Sequence, residues 1–188
     1  MAARPLDVVL PPVLRRLCPR EVVERLTLLR SCLYLYLAET PPMGLGVCTA
    51  RAVPAGAVLV ADEDGTLYRR ALSLGEAEAQ GWDRAHDLFQ LGPDLFLPPR
   101  GCFDDLFNHS CDPSGGWQLT AGGARFVAIR DLAAGEQLTY DYSCHLLGPD
   151  EHMVCQCGAA ACRGLVGPFA GLAPALQRRY RALGVVAP

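Results

Sequence analysis

The stretch that decides the fold is "LFNHSCDPS" at residues 106–114. It places an amide, an imidazole, a hydroxyl and a thiol in four consecutive residues, directly after two apolar ones. Asn108 is the single asparagine of the whole chain, so this short side-chain amide, which both donates and accepts hydrogen bonds, is used at one place only. The adjacent His109 and Cys111 leave two interpretations open, a catalytic His/Cys pair and a binding segment.

The composition is that of one compact domain. The chain has 188 residues, of which 51% are hydrophobic, which is enough for a core without disulfide bonds. It contains neither an apolar run long enough to span a membrane nor a secretory signal at its start, so we expect a cytoplasmic protein without a membrane partner. With a net charge of −3 and no basic patch, direct nucleic-acid binding is not expected.

All 17 basic residues are arginine, and the chain contains no lysine. Alanine, arginine, glycine, leucine and proline are abundant, whereas isoleucine occurs once. A GC-rich coding bias explains this usage and indicates a bacterial source. A functional reason, the absence of lysine as a target on the chain itself, is the alternative.

Short strand-like runs separated by turns fill the middle of the chain and predict a mainly β, β-rich α+β fold. Apolar periodicity predicts an N-terminal helical extension over residues 1–32. Ser73 is placed to begin a short helix, Gly92-Pro93-Asp94 predicts a hairpin, and a terminal helix is expected to end at Gly184.

A cysteine-rich segment, "CQCGAAACRG" at 155–164, predicts a metal site. The spacing Cys155-x-Cys157-x4-Cys162 brings three thiolates together if the loop folds tightly, and a thiolate-rich set selects zinc or an iron–sulfur cluster. The fourth ligand remains open at this point: the candidates are Cys111, Cys144, His145 and His152. We interpret the remaining thiols as ordinary buried cysteines, namely Cys18, Cys32, Cys48, Cys102 and, unless it is the fourth ligand, Cys144.

Four motifs occur in one order: "GLG" at 44–46, "NHSCDP" at 108–113, "GEQLTYDY" at 135–142 and "CQCGAAACRG" at 155–164. Together they resemble the SET-domain protein lysine methyltransferases that carry a post-SET zinc segment, over residues 33–167. The resemblance implies several small sheets around a knot-like crossing, with a zinc-bound tail. It divides the chain into an N-terminal extension (1–32), a SET domain (33–143, with a variable insert at about 62–100), a post-SET segment (144–168) and a C-terminal helix (169–188).

The resemblance also assigns roles to residues. It implies S-adenosylmethionine (SAM) as cofactor, with S-adenosylhomocysteine as product, and a zinc ion. Tyr142 is expected at the methyl-transfer centre, with Tyr140 beside it limiting the reaction mainly to monomethylation, or to dimethylation. The implied cofactor contacts are Met43, Gly44, Leu45, Gly46, Asn108, His109, Tyr142 and Leu165. The implied zinc ligands are Cys111, Cys155, Cys157 and Cys162.

In-line methyl transfer from a sulfonium to a lysine amine requires alignment and a neutral amine, and it requires no triad. The expected partner is a lysine-containing protein or peptide, such as a histone-like, ribosomal or other basic protein, which acids in the 62–100 insert could receive. Two departures from the family pattern, Ser114 and Asp105, affect the local packing. The alternatives are a catalytically silent SET-fold module that binds a peptide or cofactor, and a small zinc-thiolate structural or redox protein.

Overall fold

The computed structural model describes residues 35–187, except 63–64, 85–86, 101–102, 122, 146–147 and 149–150. The helical extension predicted for residues 1–32 therefore lies outside the described residues, as do Cys18, Cys32 and Cys102. Within the described part of the chain, no helix is long and apolar enough to cross a membrane.

The described chain is mainly β, as the turn-rich sequence predicted, and its strands are short. In chain order the strands are β1 (Leu35–Glu39), β2 (Leu45–Thr49), β3 (Val58–Asp62), β4 (Phe89–Gly92), β5 (Leu95–Leu97), β6 (Asn108–His109), β7 (Gly115–Thr120), β8 (Gly123–Ala128), β9 (Thr139–Tyr140), β10 (Met153–Val154) and β11 (Leu165–Val166). They form five small sheets: β1–β2, β3–β8–β7, β4–β5, β6–β9 and β10–β11.

The three-stranded sheet β3–β8–β7 supplies much of the main core. Phe126 on β8 is fully buried, and its ring contacts Phe107 and Trp117 at centroid distances of 4.5 and 5.3 Å. Gly115 lies so close to Phe126 that an added Cβ would be 2.3 Å from the ring. A side chain larger than hydrogen at this position would therefore displace the aromatic core.

The segment 106–114 crosses the segment around 139 as the only parallel strand pair of the sheets just named. Asn108 pairs with Thr139 and His109 with Tyr140. Buried Ser114 secures the crossing, because its hydroxyl accepts a 2.8 Å hydrogen bond from the backbone N–H of Thr139, and its own N–H donates to Thr139 Oγ1 at 3.1 Å. One of the two departures from the family pattern thus fits its local packing.

Three α-helices are described: α1 (Thr66–Arg70), α2 (Leu74–Ala79) and α3 (Pro174–Leu183). Ser73 begins α2 with a complete capping box to Glu76, and α3 ends at Gly184 with φ 67°, so both predicted helix limits are confirmed. The β4–β5 hairpin is confirmed as well. Helix α1 and the β10–β11 pair were not predicted. Short 3-10 turns at Phe103–Leu106, Tyr142–Cys144 and Phe169–Gly171 complete the elements.

The C-terminal part packs against the core through a second apolar cluster. Tyr180 of α3 is fully buried and Val185 is 2% exposed, and both belong to a cluster with Cys144 and Val127. Gln118 of β7 donates a 2.8 Å hydrogen bond to the carbonyl of Leu183, at the end of α3. The last helix is therefore a fixed part of the fold.

Candidate functional site

The lone asparagine fastens the glycine turn between β1 and β2. Asn108 Nδ2 donates to the carbonyl of Leu45 at 2.9 Å and to Thr40 Oγ1 at 3.3 Å. A Cβ added to Gly46 would be 2.3 Å from Gln137 Nε2 and 2.9 Å from Asn108 Nδ2, so the side chains fit only around a glycine. Gly44 has φ 84°, which favours glycine, and nothing lies within 4 Å of the place where its Cβ would stand.

The crossing brings two tyrosine side chains together. Tyr140 ends β9 and Tyr142 begins the next 3-10 turn, and their ring centroids are 4.8 Å apart. The Tyr142 hydroxyl donates a 2.9 Å hydrogen bond to the carbonyl of Phe107, one residue before Asn108. Burial raises the pKa of both phenols, so both are neutral at physiological pH.

A second group of side chains forms a candidate metal site. His109, Cys111, Cys155 and Cys157 each offer a ligand atom, and these four atoms lie within 4.8 Å of one another. His109 Nε2 is 3.3 Å from Cys111 Sγ, which is 3.6 Å from Cys155 Sγ. Cys162, the fourth predicted cysteine, is not one of these four, but its thiol affects the pKa values of Cys155 and Cys157 and so lies near theirs. Four donors therefore form the group and a fifth lies beside it.

The donor chemistry fits zinc. Thiolates and one imidazole are the ligands of structural zinc sites, and a tetrahedron takes four of them. Burial disfavours the Cys157 thiolate, but hydrogen bonds from the Cys111 and Ala159 backbone N–H groups and from neighbouring thiols lower its pKa to about 6. At least one ligand is therefore ionised readily.

The sequence left Cys144, His145 and His152 open as fourth ligands, and the structure does not place them in this group. Cys144 is buried in the cluster with Tyr180, and Cys48 is buried too, so both are ordinary buried thiols as predicted. His145 is 1% exposed and its ring stacks on Phe89 at 4.7 Å. His152 packs its ring over Gly167. Cys111 is the distant residue that joins the cysteine segment to the crossing.

A comparison with known protein families shows to which family the chain belongs. The family model described as "SET domain" matches residues 44–143, which is more than half of the 188 residues. The chain belongs to the SET-domain family.

Curated relatives share the SET region over short stretches. The histone-lysine N-methyltransferase ash1 of Drosophila melanogaster is 42% identical over 64 residues, 32% of this chain and 3% of that protein. An H3 lysine-4 specific histone-lysine N-methyltransferase of Saccharomyces cerevisiae is 38% identical over 72 residues, 36% of this chain and 7% of that protein. ASHR3 of Arabidopsis thaliana, also named a histone-lysine N-methyltransferase, is 31% identical over 109 residues, 51% of this chain and 21% of that protein. The chain thus matches only small parts of much longer proteins.

A solved structure agrees with the fold. KRYPTONITE, crystallised with mCHG DNA and SAH, superposes with a TM-score of 0.51 over 70% of this chain and 28% of that chain. At 19% identity the similarity concerns the fold of the SET domain alone.

The structure also brings residues to the candidate site that the sequence did not reveal. Asp141, between the two tyrosines, accepts two 2.8 Å hydrogen bonds from the guanidinium of Arg163 and one of 3.1 Å from the Tyr180 hydroxyl. The His109 side chain, predicted only as part of the cofactor wall, reaches the cysteines. The position of Arg163 directly after the last motif cysteine, Cys162, was a usable signal, whereas nothing local indicated Tyr180.

Proposed function

We propose that this SET domain is a SAM-dependent protein lysine N-methyltransferase. One observation carries the proposal: the β6–β9 crossing joins Asn108 and the glycine turn to the Tyr140–Tyr142 pair in one continuous site. The curated relatives that share the SET region are named histone-lysine methyltransferases, which supports the reaction class.

The glycine turn fits the cofactor. Gly44 is exposed and nothing lies within 4 Å of the place where its Cβ would stand, so a ligand can approach the peptide groups on either side of Gly44 without meeting a side chain there, whereas Leu45 and Gly46 are buried. Asn108 fixes this backbone from behind through the carbonyl of Leu45. Leu165 is 49% exposed and pairs with Val154, which is 72% exposed, so the β10–β11 pair offers an apolar surface suited to the adenine ring.

SAM, when bound, supplies a methyl group on a sulfonium. The chain's own residues then have to align a lysine amine with that methyl and keep the amine neutral. The Tyr142 oxygen and the Phe107 carbonyl, 2.9 Å apart, form a polar edge for the methyl and the amine in an otherwise aromatic site. Because burial raises the pKa of Tyr142, we assign this phenol to orientation and electrostatics, and not to general base catalysis.

The metal has a structural role in this proposal. Four of the five donors Cys111, Cys155, Cys157, Cys162 and His109 would hold zinc. The ion would tie the segment that follows β10 to the crossing, because Cys111 lies in the crossing segment and the other cysteines in the tail. The β10–β11 pair would thereby be held to the crossing, whose Asn108 fixes the proposed cofactor turn.

The product and the substrate class extend the proposal. Tyr140 is 6% exposed and its ring lies 4.8 Å from that of Tyr142, so its hydroxyl crowds the space around the amine. We therefore expect mainly monomethyllysine, and mass spectrometry of the product peptide measures the degree of methylation. Acids of the 62–100 insert favour a basic protein segment as substrate.

The deciding experiment compares Tyr142→Phe with wild type, using labelled SAM and histone, ribosomal and lysate proteins as acceptors. We expect Tyr142→Phe to lower kcat by about 100-fold, because a misplaced methyl or amine costs about that much. SAM affinity should change by less than about threefold, since uniform binding is largely kept. Tyr68→Phe is the matched control, because the Tyr68 hydroxyl bonds the distant carbonyl of Thr120. A metal-loaded wild type that binds no SAM would overturn the proposal, and one that binds SAM without transfer would indicate the silent binding module.

A further inference from the structure

The carboxylate of Asp141 is buried and fully used by hydrogen bonds. Its residue is 2% exposed, and it lies between Tyr140 and Tyr142. Oδ1 accepts from Arg163 Nη2 at 2.8 Å and from the backbone N–H of Ser143 at 3.1 Å. Oδ2 accepts from Arg163 Nη1 at 2.8 Å and from the Tyr180 hydroxyl at 3.1 Å. Such a bidentate, charge-assisted pair has a strictly defined geometry.

Two of these partners come from segments outside the crossing. Arg163 follows Cys162, and its backbone N–H donates to Cys111 Sγ at 3.4 Å, so the same residue contacts both the cysteine cluster and Asp141. Tyr180 comes from α3 and is fully buried. One carboxylate thus joins the cysteine segment and the C-terminal helix to the backbone of the two tyrosines.

The tyrosine centre depends on this carboxylate through short connections. The backbone N–H of Tyr142, adjacent to Asp141, donates to His109 Nδ1 at 3.2 Å. Tyr140, Asp141, Tyr180 and Val185 line one small cavity of about 10 Å³, so α3 and the residues after it border the same space as Tyr140. A shift of Asp141 therefore moves both tyrosines.

We propose that Asp141 is a positioning residue: its pairing with Arg163 and Tyr180 aligns Tyr140 and Tyr142 for methyl transfer only when the cysteine segment and α3 are docked. The inference rests on the proposed function. It explains why an ion pair, which is costly to bury, stands at this place: a charge that loses its partner there is strongly unfavourable, so the docked and undocked states differ sharply.

The test uses full-length, zinc-loaded variants that each remove one connection. Asp141→Asn keeps the shape and loses the charge, Arg163→Lys keeps the charge and loses the bidentate geometry, and Tyr180→Phe loses only the hydroxyl. The matched controls are Asp131→Asn, Arg130→Lys and Tyr68→Phe, whose polar groups bond Ala55, Glu136 and Thr120 away from the tyrosine pair. We count kcat per SAM-binding site, so that loss of folded protein does not enter the value.

We expect Asp141→Asn and Arg163→Lys each to lower kcat per site by about tenfold or more, while KM for SAM and for peptide stays within about threefold. Tyr180→Phe should lower it less. Because Asp141 and Arg163 act as a unit, the double variant Asp141→Asn/Arg163→Lys should be no more than about threefold slower than the worse single variant. If Asp141→Asn does not fold, Arg163→Lys and Tyr180→Phe carry the test. A kcat per site within about twofold of wild type in both would overturn the inference.

A second readout does not need turnover. Arg163 holds the cysteine segment on Asp141, so Arg163→Lys should speed zinc release to a chelator by about tenfold, with Arg130→Lys unchanged. Release at the wild-type rate contradicts the inference even if the domain transfers no methyl group. Absence of transfer in wild type counts against the proposed function alone, and the two failures are thus distinguished.

Discussion

At the scale of single residues, Gly46 is the most constrained position of the proposed cofactor turn. Three polar side chains, those of Gln137, Asn108 and Thr40, lie 2.3 to 2.9 Å from the place where a Cβ would stand. Distances below 3.0 Å are not compatible with a real side chain, so any substitution has to displace the amides. Because Asn108 also holds the Leu45 carbonyl, its displacement changes the shape of the turn.

We therefore predict that Gly46→Ala weakens SAM binding by about tenfold and lowers the free energy of unfolding by about 1–3 kcal/mol, as overpacking does. Gly75→Ala is the matched control: Gly75 lies in α2 with nothing within 4 Å of its Cβ position, so alanine should stabilise the protein by about 0.5 kcal/mol. Calorimetric SAM titration and urea unfolding measure the two effects. SAM affinity equal to wild type in Gly46→Ala would place the cofactor elsewhere.

At the scale of elements, what the sequence predicts depends on how local the deciding contacts are. Helices α2 and α3 were predicted because Ser73 and Gly184, their limits, act within four residues. The β6–β9 crossing joins segments 31 residues apart in its register (139 − 108) and followed only from the family resemblance. The partners of Asp141 are 22 and 39 residues away and belong to elements whose docking no local pattern specifies.

In the cysteine segment, too, the local spacing predicted one part of the site, and contacts between distant segments decided the rest. The spacing of Cys155, Cys157 and Cys162 indicated a metal, and the resemblance added Cys111, which the structure brings to Cys155. The β10–β11 pair was missed because its two-residue strands are separated by the whole cysteine loop and have no alternating pattern. The approach of the His109 ring to the cluster depends on the pleat of β6, which the sequence does not fix.

Removal of the metal should loosen β10–β11 without unfolding the central sheet. The pair has only two residues in each strand, and its connection to the crossing runs through the cluster of Cys111, Cys155 and Cys157. We expect chelation to increase amide hydrogen exchange in residues 153–166 by at least about tenfold, while β7 and β8 keep their protection.

Cys48→Ala provides the control for this measurement, since Cys48 is a buried thiol of β2 outside the cluster. It should keep wild-type zinc stoichiometry, whereas the double variant Cys155→Ala/Cys157→Ala, which leaves three of the five donors, should lose zinc and exchange like the chelated protein. Equal exchange in residues 153–166 with and without the ion would mean that the segment folds independently of a metal.

At the scale of the whole molecule, buried His145 makes stability depend on pH. Burial lowers its pKa from 6.5 to about 4, while backbone carbonyls, first that of Gln90, oppose the shift. Below pH 6.5 the unfolded chain binds a proton that the folded chain excludes, so stability falls with pH down to about 4. The loss should reach about 2 kcal/mol at pH 5 relative to pH 7.5.

Other titratable groups also change the dependence of stability on pH, and a comparison of variants separates their effect from that of His145. The buried Asp104 carboxyl has its pKa raised to about 6, because burial outweighs the adjacent Arg100, and it acts in the opposite direction. We therefore compare urea unfolding at the two pH values between wild type and His145→Gln, with exposed His152→Gln as control. The His145 variant should be less stable at pH 7.5 but lose about 2 kcal/mol less on acidification. Equal losses would show that His145 accepts its proton in the folded state.

The absence of lysine has a consequence for the proposed reaction as a whole. Within its 188 residues the chain has no ε-amine, so a lysine-specific enzyme cannot methylate itself at a side chain. Incubated with labelled SAM and no substrate, the wild-type chain should carry no label in peptides that exclude its N-terminus. Arg178→Lys introduces one lysine on the exposed face of α3 and keeps the charge, so it tests whether a surface lysine is an acceptor. Label on an internal peptide of the wild-type chain would mean that the site accepts a nucleophile other than a lysine amine. That result would contradict the lysine specificity proposed for the neutral, aromatic centre at Tyr140 and Tyr142.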